Sequence, residues 1–218
     1  MAHNLDLFDM VRIDHFRGFI GYWEIPADKK TAIEGTWVEA PAEDFFSVLT
    51  ACFPGAPIIA EDLGIITPDV KEMMDRFSFP GMKVLLFAFD DEQGANPYLP
   101  HNHVENCVLY TGTHDNNTAR GWFTGEASSE VKQNFFRYLG REPGADTVHG
   151  ELIRLAMMSV AKTVIIPLQD VLGLGEEARM NRPSVTNGNW KWRVLPEQLT
   201  PRIATVLAEM TLTYGRVK

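Results

Sequence analysis

Five short apolar runs in this chain each give way to charged or polar residues at their C-terminal ends, and that repeated pattern leaves few folds open. Val11-Arg-Ile13, preceded by Leu7, Phe8 and Met10, runs into Asp14, His15 and Arg17 and breaks at Gly18. Pro57-Ile-Ile-Ala60 runs into Glu61-Asp62, and Met82 to Phe89 into Asp90-Asp91-Glu92. Cys107 to Tyr110 leads to Thr111-Gly-Thr-His114-Asp115-Asn116, and Thr163 to Leu168 leads to Gln169-Asp170. Charges are rarely buried unless paired or used. A strand that turns charged at its C-terminal end is therefore how an α/β active site reads in sequence. For Arg12 and Asp14 alone, a structural ion pair is an equally good reading.

Helical patterns separate the runs. Pro41 to Phe53 carries Phe45, Phe46, Leu49 and Cys52 or Phe53 at helical spacing, with Glu43 and Asp44 in the first turn. Thr67-Pro68-Asp69 is a helix start with a hydroxyl cap, and that helix is expected to reach about Phe77. Further helices are expected over 130–139, 146–160 and 201–214. Gly21 to Glu39, rich in aromatics and charges without a period, reads as a long structured loop. Alternating strands and helices predict a parallel α/β layer architecture, with the strand ends gathered on one edge. Without a Gly-x-Gly-x-x-Gly or phosphate-loop Lys motif after the first strand, half of a (β/α)₈ barrel fits better than a nucleotide-binding sheet.

Composition narrows the partners. With 20 Lys and Arg against 29 Asp and Glu, the net charge is −9, which repels polyanions and anionic lipid. No nucleic-acid or membrane partner is expected, and a small neutral ligand suits the chain better. The two cysteines, Cys52 and Cys107, lack metal-ligand spacing and read as reduced core thiols. No membrane-span or leader pattern is evident, so a cytoplasmic address is expected.

Asp14, Glu61 and Asp115 follow strand ends at intervals of 47 and 54 residues by subtraction, a spacing of one or two βα units each. Three carboxylates without a metal or cofactor motif suit glycosyl transfer or hydrolysis, in which one attacks the anomeric carbon and another protonates the leaving oxygen. Among the remaining candidates, Asp62 and Asp90 read as loop caps or ion pairs. His15 and His103 read as sugar contacts or satisfied structural histidines. His101-x-His103 lacks a third ligand for a metal. Trp23, Trp37, Trp190 and Trp192 suit sugar stacking or a buried aromatic role.

These residues carry a family resemblance. Arg12-Ile-Asp14-His15-Phe-Arg-Gly18, Ile59-Ala-Glu61-Asp62-Leu-Gly64 and Thr111-Gly-Thr-His114-Asp115-Asn116 resemble the last three sequence blocks of the α-amylase superfamily. With Gly21-Tyr-Trp-Glu-Ile-Pro26, Gly35-Thr-Trp37 and Gly188-Asn-Trp190-Lys-Trp192-Arg193, the wording is similar to the amylomaltase, or 4-α-glucanotransferase, family. The resemblance implies Asp14 as nucleophile, Glu61 as acid/base, and Asp115 as the carboxylate that grips the 2- and 3-hydroxyls of the distorted sugar. It implies that Arg12 orients Asp14, that His114 contacts the same sugar, and that Asn189 and Trp190 line the donor side. The implied reaction is retaining transfer of a 1,4-α-glucan segment, with no cofactor. A related hydrolase or branching enzyme is the alternative.

Measured against that resemblance, Met1 to Leu5 begins inside the helix before the fourth barrel strand. Residues 1–218 are then expected to form a partial catalytic domain, strands four to eight without the N-terminal half. Such a chain is expected to be weakly active alone, or to pair with the missing half or with itself.

Overall fold

Two short apolar segments, Val11–Ile13 (β1) and Ile58–Ala60 (β4), pair in parallel with Ile13 opposite Ala60. They anchor the first of two units into which the chain divides, Met1–Met82 and Lys83–Lys218. The structure, a computed structural model, describes residues 1–90 and 94–217.

In the first unit, helix α1 (Ala2–Leu7) precedes β1, and a 3₁₀ turn over Phe16–Phe19 follows it. Strands β2 (Gly21–Glu24) and β3 (Thr36–Glu39) come next, then α2 (Ala42–Cys52), β4 and α3 (Pro68–Arg76). The unit's core is aromatic. Phe16 and Phe46 are fully buried and stack at 5.0 Å, with Phe79 edge-on to both, over Ile58, Val70 and Met74. Phe46 is delivered by α2, whose first turn carries Glu43 and Asp44 where a helix favours negative charge. The sheet continues past β4, since the Ala60 N–H donates to the Pro80 carbonyl at 3.0 Å.

Gly21 to Glu39 is not a loop throughout. β2 and β3 form an antiparallel ribbon in which Trp23 lies opposite Trp37. Strand alternation in a sequence comes from one buried face, and this ribbon has none: no residue of β2 or β3 is buried. Thr67 does precede α3, but its hydroxyl does not cap the helix backbone; it bonds the Asp69 carboxyl and holds it below the usual carboxylate range.

In the second unit, β6 (Cys107–Tyr110) is buried at every residue and pairs in parallel with β7 (Thr163–Ile165), Leu109 opposite Val164. Strand β5 (Gly81–Val84) spans the division between the units, and the strand order is β5-β6-β7. The apolar run expected to be a strand to Phe89 leaves the extended form at Val84 and tightens into a 3₁₀ turn over Leu85–Phe87. Its residues stay buried, Leu85 at 0% and Phe89 at 2% exposure, so burial without strand pairing produced the pattern. Of the acids expected after it, Asp91 and Glu92 lie outside the described residues.

After β6 come α4 (Ala119–Gly121), a π turn over Trp122–Glu126, α5 (Ser129–Leu139) and α6 (Val148–Met158). Then follow β7, α7 (Leu168–Val171) and α8 (Pro201–Thr213). Ser128 caps α5 through the Val131 N–H, and Gly140 closes it at φ 71°, where a side chain would be strained. Phe89, Trp122 and Phe135 form the aromatic centre. Arg216 donates to the carbonyls of Ala156, Met157, Ser159 and Ala161, tying the end of α6 and the turn after it to the C-terminal segment.

Of the two cysteines expected in the core, one departs from expectation. Cys107 is buried in β6, its thiol donating to the Val104 carbonyl at 3.0 Å, whereas Cys52 is exposed at the last residue of α2. Six residues past Phe46, position 52 is turned about 120° away from it round the helix, off the face that Ala42 and Phe46 bury, so apolar neighbours in sequence overstated its burial. His103 is a satisfied structural histidine. It is 8% exposed, with Nδ1 on Ser159 Oγ at 2.8 Å and Nε2 on the Tyr98 carbonyl at 2.9 Å.

Candidate active site

The first unit presents two carboxylates at adjacent strand ends. Asp14 is the residue after β1 and Glu61 the residue after β4, and the parallel register carries straight on between them: the Glu61 N–H donates to the Ile13 carbonyl at 3.0 Å. The Phe16 N–H returns to the Glu61 carbonyl at 3.2 Å. Adjacent strands lie about 4.8 Å apart, so the chain fixes both residues on one edge with no loop between them and their strands.

Each carboxylate has its own holder. Arg12 Nη2 donates to Asp14 Oδ1 at 2.7 Å, while Arg12 Nε turns to the Met82 sulfur at 3.2 Å. The Arg12 side chain is 28% exposed and that of Asp14 75%. A half-buried guanidinium thus steadies an acid that reaches into solvent. Glu61 is held by backbone: its Oε2 accepts the His15 N–H and its Oε1 the Leu63 N–H, both at 2.7 Å. His15 itself adopts the left-handed conformation, φ 46° and ψ 51°, uncommon for a residue with a side chain. Asp62 serves the loop, its Oδ1 accepting the Met82 N–H at 2.6 Å. A Cβ at Gly81 would sit 2.6 Å from that carboxylate, so the close approach requires glycine.

The second unit presents the third carboxylate on the loop after β6. Asp115 Oδ1 accepts Asn181 Nδ2 at 2.5 Å, and its Oδ2 lies 3.3 Å from His114 Nε2. Asn181 and Arg179 were not singled out in the sequence. Arg179 donates through Nη2 to the Asp115 carbonyl, through Nε to the Asn181 carbonyl and through Nη1 to Glu126, each at 2.8 Å. Their only signal is a lone Arg between Ala178 and Met180 in a polar stretch. Trp190, half-exposed, faces the His114 ring at 5.3 Å between centroids. Asn189 spends its side chain on its own loop, accepting the Arg182 N–H at 3.0 Å and donating to the Val185 carbonyl at 2.8 Å. It closes the turn that delivers Trp190.

Beneath this loop sits Asp170, 1% exposed, which accepts the Thr111 hydroxyl at 2.6 Å and the Ala119 N–H at 2.7 Å. Burial pushes its carboxyl above the ordinary value of 3.8 while those two donors oppose the shift. Asp170 therefore ties together the two ends of the segment that carries His114 and Asp115. The structure thus groups Arg12, Asp14 and Glu61 in one unit, and His114, Asp115 and Trp190 in the other.

This mixed α/β fold, with carboxylates at parallel strand ends, has a solved counterpart. The amylomaltase from Streptococcus agalactiae, in complex with acarbose, superposes with a TM-score of 0.93 at 37% identity, covering 100% of this chain and 43% of that one. Residues 1–199 match the family model described as 4-alpha-glucanotransferase, and the chain belongs to that family. It is 51% identical over 215 residues to the 4-alpha-glucanotransferase of Synechocystis sp., and 50% identical over 221 residues to that of Thermus thermophilus. In both comparisons 98% of this chain is covered, but only 42% and 43% of the relatives, so the chain spans about two fifths of their length.

Proposed function

We propose that this chain carries the catalytic carboxylates of a retaining 4-α-glucanotransferase. The observation that supports this most directly is the placement of Asp14 and Glu61 in register at the C-terminal ends of two adjacent parallel strands. Neighbouring strands suit the separation of about 5–5.5 Å between nucleophile and acid/base in retaining enzymes. Asp14, steadied by Arg12, attacks the anomeric carbon of an α-1,4-glucan. Glu61 gives its proton to the departing glycosidic oxygen and later takes one from the incoming 4-hydroxyl. Asp115 and His114 are the residues for gripping sugar hydroxyls, where bonds that tighten in the transition state contribute most. Trp190 offers its indole face to a sugar ring, and Asn189 acts through the turn beneath it. No cofactor takes part.

The fold reading that accompanies this is a catalytic domain over 1–218 corresponding to strands four to eight of a (β/α)₈ barrel, in a cytoplasmic protein. Among the described residues, no helix is long and apolar enough to cross a membrane. Because the chain spans about two fifths of its relatives, we propose that efficient transfer needs the remaining part of the cleft, supplied by an N-terminal half or by self-association. The test is disproportionation of maltotriose beside an Asp14→Asn control, with molar mass read by light scattering. Glucose plus longer maltodextrins, abolished in the control, are expected once the cleft is complete. Reducing sugar without longer chains would point to hydrolysis, and new 1,6 linkages to branching.

A further inference from the structure

We propose that Arg179 and Asn181 are positioning residues for Asp115, acting with Glu126 as a clamp on its loop. The proposal rests on the assignment of Asp115 as a substrate-gripping carboxylate. The Arg179 side chain is 14% exposed, and its guanidinium commits all three nitrogens, to the Asp115 carbonyl, the Asn181 carbonyl and Glu126 Oε1. Because that group is a rigid planar fork, it fixes three chain segments, 64, 53 and two residues away in sequence, against one another. Asn181 then closes on the same loop twice, with its N–H on the His114 carbonyl at 3.0 Å and its Nδ2 on Asp115 Oδ1. With Oδ2 beside His114, both carboxylate oxygens have a holder and the group is not free to rotate.

The π turn explains how Glu126 reaches Arg179. Such turns are rare and concentrate at functional sites, and this one, Trp122–Glu126, ends on the residue that accepts both Arg179 and Asn117. Asn117 donates from Nδ2 to Glu126 at 3.0 Å and packs so closely on Gly121 that a Cβ there would lie 2.2 Å from its Oδ1. A surface ion pair kept only for stability would be worth little and would need neither of the two backbone carbonyls. What the arrangement does supply is a fixed orientation for Asp115, and orientation is a large part of catalysis.

The test uses the whole chain, isotopically labelled, with Asn181→Ala, Arg179→Lys and Glu126→Gln. The first readout needs no turnover. The Asn181 side-chain amide of the parent is expected to show a through-hydrogen-bond NMR correlation to Asp115 Cγ, and Asp115 Cγ to give one sharp resonance. Asn181→Ala should broaden or split that resonance while Tm holds. Arg179→Lys, which keeps charge but loses the fork, should do the same, and Glu126→Gln, which keeps the acceptor, should not. The second readout is maltotriose transfer: Asn181→Ala should lower kcat by up to about 100-fold with KM little changed. An absent correlation, or an Asp115 resonance indifferent to Asn181→Ala, overturns the clamp whether or not the chain transfers glucan. Failure of transfer with the NMR signature intact would bear on the proposed activity alone. A raised KM at constant kcat would make Asn181 a simple binding contact and overturn the positioning role.

Discussion

Replacing Asp170 by alanine should be among the most damaging single changes in the second unit. The substitution strands two donors, the Thr111 hydroxyl and the Ala119 N–H, on residues that are both 0% exposed. An unsatisfied buried donor costs about 1–3 kcal/mol, so the two together cost about 2–6. Relief of the carboxylate's desolvation returns part of this, leaving an expected loss of about 2–4 kcal/mol. At about 2–4 °C per kcal/mol for a chain of this size, Tm should fall by roughly 4–16 °C. Asp170→Asn keeps one acceptor, and the Thr111 hydroxyl can turn to accept from the new amide, so its loss should stay below about 1.5 kcal/mol. The pH dependence gives an independent check. The folded carboxyl titrates above its ordinary 3.8, so the folded state binds the proton more tightly than the unfolded one. The parent should therefore gain stability relative to Asp170→Asn as pH falls toward 4, and lose it as pH rises through the folded value. Urea unfolding of the three proteins at pH 4 and pH 7 measures all of this. An Asp170→Ala protein within 0.5 kcal/mol of the parent, roughly the size of an ordinary surface substitution, would refute the reasoning.

Three further outcomes follow from the same hydrogen-bond accounting. Burial holds both His103 and His149 below the ordinary 6.5, so the unfolded state binds their protons first and stability should drop as pH falls from about 6.5; a His103→Gln, His149→Gln protein should show a visibly flatter profile between pH 7 and pH 5 by chemical denaturation. Arg216→Ala uncovers the carbonyls of Ala156, Met157, Ser159 and Ala161 and should cost about 1–3 kcal/mol, with hydrogen exchange accelerating first at the end of α6; uniform exchange would argue against it. Gly121→Ala drives a methyl group into Asn117 and should cost about 1–3 kcal/mol, a thermal shift that Gly125→Ala, with open space around it, should not reproduce.

Much of the candidate site's placement was legible because strand ends are a local signal. Ile13 to Asp14 and Ala60 to Glu61 each pass from apolar to acidic in one step, and the parallel register carries that step into adjacency. Helices whose apolar residues face a core, such as α2 with Phe46 and α6 with Leu152 and Ala156, were readable for the same reason. The ribbon of β2 and β3 was not, because neither of its faces is buried and no alternation is imposed on it. Nor could β5 be bounded, since Leu85 and Leu86 are buried in a turn as fully as they would be in a strand. Arg179 and Asn181 escaped notice because they act on Asp115 across 64 and 66 residues of chain, mostly through backbone carbonyls that any sequence supplies. Asn189, by contrast, was singled out by its neighbours' wording, and what its side chain holds, the Arg182 to Val185 backbone, had no trace there.

His15 holds Glu61 with its main-chain amide rather than its ring, and this has a consequence for anyone scanning the chain by mutation. Glycine enters the left-handed region at no steric cost, whereas residues with a Cβ give up about 1–2 kcal/mol there. Because His15 already bears that cost, a glycine scan would record position 15 as neutral or slightly stabilised and an alanine scan as little changed, and both would overlook what it does. Valine or isoleucine, which resist that conformation most strongly, would withdraw the amide from Glu61 and make the position look essential. The tolerance profile of such a residue charts the backbone it must adopt, and its side-chain chemistry hardly registers.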